Sequence, residues 1–123
     1  MIEILADFPD NVVAALAHGV VTKRDYQDIL VPRIELTLKR HPEIRCYYEL
    51  GREFSSMEAG AMWKDFQIGV KHLSRWERVA VVTDVDWIKH AVNVFRFLMP
   101  GEVRVFAVSE AAAAREWIMA VHA

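Results

Sequence analysis

The chain has a single cysteine, Cys46, set inside an apolar run. With no second thiol an internal disulfide is excluded, and a buried thiol in a reducing compartment is the expected state. Five glycines and four prolines among 123 residues are too few for a fibrous or low-complexity chain. An excess of one charge is missing too: 15 basic and 17 acidic residues are interspersed and leave a formal charge of -2. That balance offers no field to steer a nucleic acid and no basic cluster to bind an anionic membrane, so no nucleic-acid partner is expected. No apolar run approaches the ~20 residues needed to span a bilayer. Residues 1–7 lack the basic start and apolar core of a signal peptide, and a cytoplasmic location is expected.

What is present is an apolar share of 54%. A chain of this length fits one domain over residues 1–123, burying roughly two thirds of its unfolded surface. The most informative stretch is Arg78-Val79-Ala80-Val81-Val82-Thr83-Asp84-Val85-Asp86-Trp87. Its run of small or β-branched apolar residues reads as a strand buried on both faces at the centre of an α/β sheet. Residues 1–5 and 11–18 are strand-like and joined by Asp7-Phe8-Pro9-Asp10, which predicts an antiparallel hairpin. Thr22 with Asp25 has capping-box spacing and opens a first helix that Pro32 should kink and that ends before His41-Pro42. Residues 44–50 read as the third strand, and 102–108 as an outer strand followed by a last helix capped by Ser109.

Two helices carry the functional reading. The second, from about Met57 to Leu73, has a stripe of Ala59, Met62, Trp63, Phe66, Val70 and Leu73. The third, from about Asp86 to Leu98, has Ile88, Ala91, Val92, Phe95 and Leu98 on one side and Trp87, Val94 and Phe97 on another. Lys89, Asn93 and Arg96 form a narrow polar stripe, and so wide an apolar arc exceeds what one sheet face covers. Burial on both sides, a homodimer interface and the wall of a ligand pocket are the three readings it allows. The order β, β, α, β, α, β, α, β, α predicts right-handed crossovers and about five strands, mostly parallel with an antiparallel N-terminal strand, and four helices.

Across nearly its whole length the chain resembles the SpoIIAA-like proteins of the STAS/SEC14 type. The resemblance is carried by Pro9-Asp10-Asn11-Val12-Val13, Gly19 with Thr22 to Tyr26, Trp63-Lys64-Asp65, Gly69-Val70-Lys71-His72, Arg78 to Asp84, Pro100-Gly101-Glu102-Val103-Arg104-Val105-Phe106 and Ala114-Arg115-Glu116-Trp117. It implies a non-enzymatic α/β domain, open and closed arrangements of helices two and three, and a role in carrying apolar ligands or touching membranes. Anti-sigma antagonists in the wider superfamily carry a phosphorylatable serine within Asp-Ser-Ser/Thr-Gly. Here the matching loop, Glu53-Phe54-Ser55-Ser56-Met57-Glu58-Ala59-Gly60, lacks the aspartate and displaces the glycine, which argues against a phospho-switch.

The expected function is a non-enzymatic binding module. Trp63, Phe66, Trp87, Val94 and Phe97 are the candidate lining of a site for a small apolar or lipid-like ligand, and the same aromatics would suit a membrane interface if the helices parted. The alternative is a STAS-type partner-switching regulator that docks another protein, with Ser55 or Ser56 as phosphoacceptor; both serines otherwise read as helix N-caps. His72, His90, Asp65, Asp84 and Asp86 are the polar residues open to a catalytic reading. Metal-ligand spacing, a nucleophile elbow and a phosphate loop are all missing, so no catalytic residue, metal or cofactor is expected, and the aspartates read as caps or tethers.

Overall fold

The computed structural model describes residues 1–121, except the side chains at positions 63, 65, 66, 69, 70 and 73. Seven strands are present: β1 (Ile2–Ile4), β2 (Val12–Ala17), β3 (Gly19–Val21), β4 (Ile44–Leu50), β5 (Phe54–Met57), β6 (Trp76–Thr83) and β7 (Glu102–Phe106). Four helices alternate with them. Helix α1 (23–40) is continuous through a π-helical turn, Tyr26–Leu30, into Val31–Arg40. The others are α2 (Ala59–Lys71), α3 (Asp86–Arg96) and α4 (Ala111–Met119).

The main sheet runs β1-β2-β4-β6-β7, with β1 antiparallel to β2 and all other neighbours parallel. The expected hairpin, the mostly parallel sheet and the outer position of β7 are therefore all observed. The geometrical middle is β4, with β6 beside it, rather than β6 itself. Each crossover, from β2 through α1 to β4, then α2 to β6, then α3 to β7, steps the same way along the sheet. Right-handed connections that advance in one direction must place their helices on one face, so α1, α2 and α3 share it. Helix α4 packs on the opposite face against β4 and β6, over Ala14, Tyr47, Ala80 and Val82.

Thr22 and Asp25 form the expected reciprocal capping box at the start of α1: the Asp25 N–H donates to Thr22 Oγ1 at 3.1 Å, and the Thr22 N–H donates to Asp25 Oδ2 at 2.8 Å. The irregularity expected at Pro32 takes the form of the π turn just before it, where the wider ring accommodates a residue that has no N–H to donate. Gly101 makes a close approach, since a Cβ there would lie 2.3 Å from the Trp76 carbonyl oxygen.

Two expected caps are corrected. Ser55 and Ser56 lie in β5, exposed, and not at a helix start, because Gly19 and Val20 of β3 capture this stretch as a second, parallel two-stranded sheet. Ser109 lies in a short 3-10 turn before α4, where Glu110 accepts from the Ala107 N–H at 2.8 Å instead.

Strands start, and crossover helices end, at the same edge of the sheet, and three arginines there satisfy helix-end carbonyls. Arg75 donates to the carbonyls of Leu38, His41 and Pro42 at 2.6–2.8 Å, closing α1. Arg45, only 6% exposed, pairs with Glu77 at 2.5 Å and donates to the carbonyls of Ile118 and Ala120. Arg78 donates to those of Trp117 and Ala120. At the other edge His18 is held between Glu53 (2.9 Å) and Glu3 (3.1 Å), joining β1 to the small sheet. The hydrogen bonds with Glu53 and then Glu3 push its pKa above the ordinary 6.5.

Replacing Arg45 with alanine removes the Ile118 carbonyl's donor and breaks a partly buried pair, so denaturant unfolding should show a loss of about 2–4 kcal/mol. A loss within experimental error would show that the buried guanidinium does not anchor α4. The His18 clamp has an opposite sign from most acid-sensitive contacts. Because its folded-state pKa is raised, its contribution is complete below about pH 6.5 and fades as pH rises through the raised value. An NMR titration should give a midpoint above 6.5 that falls back in the Glu3→Gln/Glu53→Gln pair; a wild-type midpoint at or below 6.5 contradicts the clamp.

Candidate functional site

Helix α3 packs on β6 and β7, whereas α2 packs on the beginning of α1. A cavity of about 350 Å³ lies between these helices and the sheet. Its floor is the face of the sheet that carries Cys46, Tyr48 and Leu50 from β4, Val79 and Val81 from β6 and Val103 from β7. Leu30 and Ile34 of α1 form one wall, and Ile88, Ala91, Val92 and Phe95 of α3 form the other. Met62 and Ile68 of α2 and Trp87 of α3 stand at its margins.

No described lining residue carries a charge. The phenols of Tyr48 and Tyr26 hydrogen-bond to each other at 2.9 Å, which satisfies polar atoms that would otherwise be costly beside an apolar space. An ion placed in such a cavity would lose its hydration without a partner, so the site suits an apolar group.

Of the expected lining, Trp87 is placed at the cavity, half-exposed. Val94 and Phe97 are outside it, 68% and 91% exposed. With Trp87 and Leu98 they form a solvent-facing apolar stripe along α3 and the turn after it, so burial on both sides of that helix is excluded. Trp63 and Phe66 lie on α2, but their side chains are outside those described. The residues missed from sequence are the sheet floor. Both faces of a parallel strand are buried, and its alternation does not say that Cys46 and Tyr48 face the cavity while Tyr47 faces α4.

The polar candidates do not converge. Asp84 accepts from the Val108 N–H at 3.1 Å and ties the end of β6 to the turn after β7. Neither aspartate caps α3: its N-cap is Val85, whose N–H donates to Thr83 Oγ1, and Asp86 is exposed in the first turn. His90 is exposed, and the Asp65 side chain lies outside those described. His72 is half-buried, and burial, with Lys71 and Arg75 nearby, pushes its pKa down. Among the described residues no three His, Cys, Asp or Glu side chains gather as metal ligands, and no helix is long and apolar enough to cross a membrane.

Comparison with known proteins agrees with this fold. A search of curated proteins found no match. Among solved structures, an uncharacterised protein from Shewanella loihica with a SpoIIAA-like fold, of the DUF3478 family, is 28% identical. The alignment covers 96% of this chain and 92% of that one, with a TM-score of 0.73. The family model described as SpoIIAA-like matches residues 12–119. A five-stranded sheet of this order and a match over that span place the chain in the SpoIIAA-like family.

Proposed function

We propose that this domain is a non-enzymatic cytoplasmic binding module that holds a small apolar ligand between α2, α3 and the sheet and meets a membrane surface through the stripe on α3. The observation that carries this reading is the uncharged cavity of about 350 Å³ next to exposed Trp87, Val94, Phe97 and Leu98.

The cavity is partly open to solvent, and its described walls offer water few hydrogen-bond partners. An apolar ligand fills the space and recovers the dispersion contacts that its lining otherwise lacks. The stripe supplies the delivery surface: tryptophan and phenylalanine on a helix are suited to the boundary between headgroups and acyl chains.

Native mass spectrometry before and after organic extraction should show an apolar adduct that extraction removes. The neutral probe N-phenyl-1-naphthylamine should bind, and Ala91→Phe, at an exposed helical position on the cavity wall, should weaken it at least about tenfold without unfolding the chain. Equal binding by wild type and variant would place the probe elsewhere. Polar replacement of Trp87 and Phe97 together should reduce flotation with liposomes several-fold; unchanged flotation and unchanged lipid retention would overturn the membrane part of the reading.

A further inference from the structure

His18 sits at the bend between β2 and β3, just before Gly19, whose φ of +55° turns the chain out of the main sheet. Both of its ring nitrogens face a carboxylate: Nδ1 is 2.9 Å from Glu53 and Nε2 is 3.1 Å from Glu3. A neutral imidazole has one N–H and can donate to one of them, which leaves the lone pair of its other nitrogen against a carboxylate. The imidazolium donates to both at once. The Met1 ammonium closes the same bend, donating to the carbonyls of His18 and Val20 at 2.7 and 2.8 Å and pairing with Asp25 of α1 at 3.3 Å. The charged groups around the bend are thus Glu3 from β1, Glu53 from the turn before β5, and this ammonium with Asp25.

A short path leads from this bend to the cavity. Glu53 lies in the segment 51–58 between β4 and α2, and Leu50 and Met57, near its two ends, line the cavity. Its strand, β5, pairs with β3 alone, and two strands of four and three residues are marginal without added ties. From β3 the Val21 carbonyl accepts from the Glu58 N–H at 2.9 Å, and the Glu58 carbonyl accepts from the N–H of Met62, at the cavity margin, at 3.1 Å. We infer that His18 is a proton-operated latch on the cavity: while protonated it ties β1 to the 51–58 segment and so holds the start of α2, and on losing its proton it releases one carboxylate and loosens that rim. This rests on the cavity being a ligand site, as proposed above, and adds a control of ligand exchange. The hydrogen bonds with Glu53 and then Glu3 raise the pKa of the ring above 6.5, so the latch is closed below about pH 6.5 and opens as pH rises through the raised value. Both glutamates are exposed, and screening keeps the effect modest.

The test reads the latch twice, once without ligand. In the free protein, amide hydrogen exchange corrected for its intrinsic pH dependence should show protection of the Glu58 and Met62 N–H groups falling about two- to fivefold between about pH 5.5 and about pH 8.5. Dissociation of bound N-phenyl-1-naphthylamine, which is neutral throughout, should quicken by a similar factor over the same range. Both pH steps should vanish in His18→Gln, which does not titrate, and shrink in the Glu3→Gln/Glu53→Gln pair. Unchanged protection in the wild type, or an equal pH step in His18→Gln, would overturn the latch while the cavity reading stands. Protection that changes while probe dissociation does not would overturn the control of ligand exchange. Failure of the probe to bind would overturn the cavity reading and with it that control, and the exchange measurement would still decide whether His18 holds the start of α2.

Discussion

The handedness of the parallel crossover is the constraint on which the rest of this structure depends. Three connections advance in one direction from β2 to β7, so three helices must share one face of the sheet. Helix α1 lies at one end of that face and α3 at the other, over β6 and β7. Helix α2, which comes between them in the chain, rests on the start of α1. The opening over Cys46, Tyr48, Val79 and Val81 is the geometrical result. On the other face a single helix, α4, covers β4 and β6, and there Tyr47, Ala80, Val82 and Ile118 close a dense core.

An opening of that kind weakens a fold, and the chain is tied at both edges of the sheet. Where helices end, Arg75, Arg45 and Arg78 donate to carbonyls that would otherwise lack partners. Planar guanidinium groups suit this task because one side chain can reach two or three acceptors in a fixed geometry. Where helices begin, the small β3–β5 sheet joins the starts of α1 and α2: the Glu58 N–H donates to the Val21 carbonyl, and the Glu58 carboxylate accepts from the Lys23 N–H. A carboxylate at a helix N-terminus is favoured by the helix dipole. The first turn of α2 is therefore fastened, while its middle faces the cavity through Met62 and Ile68. The larger cluster of buried apolar residues lies on the face that carries the cavity, and a smaller one lies under α4.

The fold was largely legible in the sequence, and specific residues show why. The unbroken Val79-Ala80-Val81-Val82 run, the turn residues 7–10 and the alternation of strands with helical stripes suffice for a mostly parallel sheet with an antiparallel first strand. The Thr22–Asp25 capping box was readable because it is a local bond between near neighbours. What escaped were features made by partners distant in the chain. Gly19-Val20-Val21 and Phe54-Ser55-Ser56-Met57 are too short to signal strands by themselves and become strands only by pairing with each other. That pairing moved Ser55 and Ser56 from a helix start into a strand, and Ser109 and Asp84 likewise gave way to neighbours that only the folded chain supplies.

The candidate site was half legible, for a related reason. The sequence alone determined that α3 carries more apolar surface than one sheet face can cover, since helical periodicity fixes the angle of every side chain around its axis. It could not determine which part of that surface lines a cavity and which faces water. Only the tertiary structure decided that Trp87 stands at the cavity while Val94 and Phe97 lie outside it, because that depends on where α2 rests. The same holds for the sheet floor: a strand buried on both faces does not reveal from its own residues which face meets a helix and which meets a cavity. Local periodicity determined what surfaces this chain has to bury, and the packing of elements far apart in sequence decided which of them it leaves open.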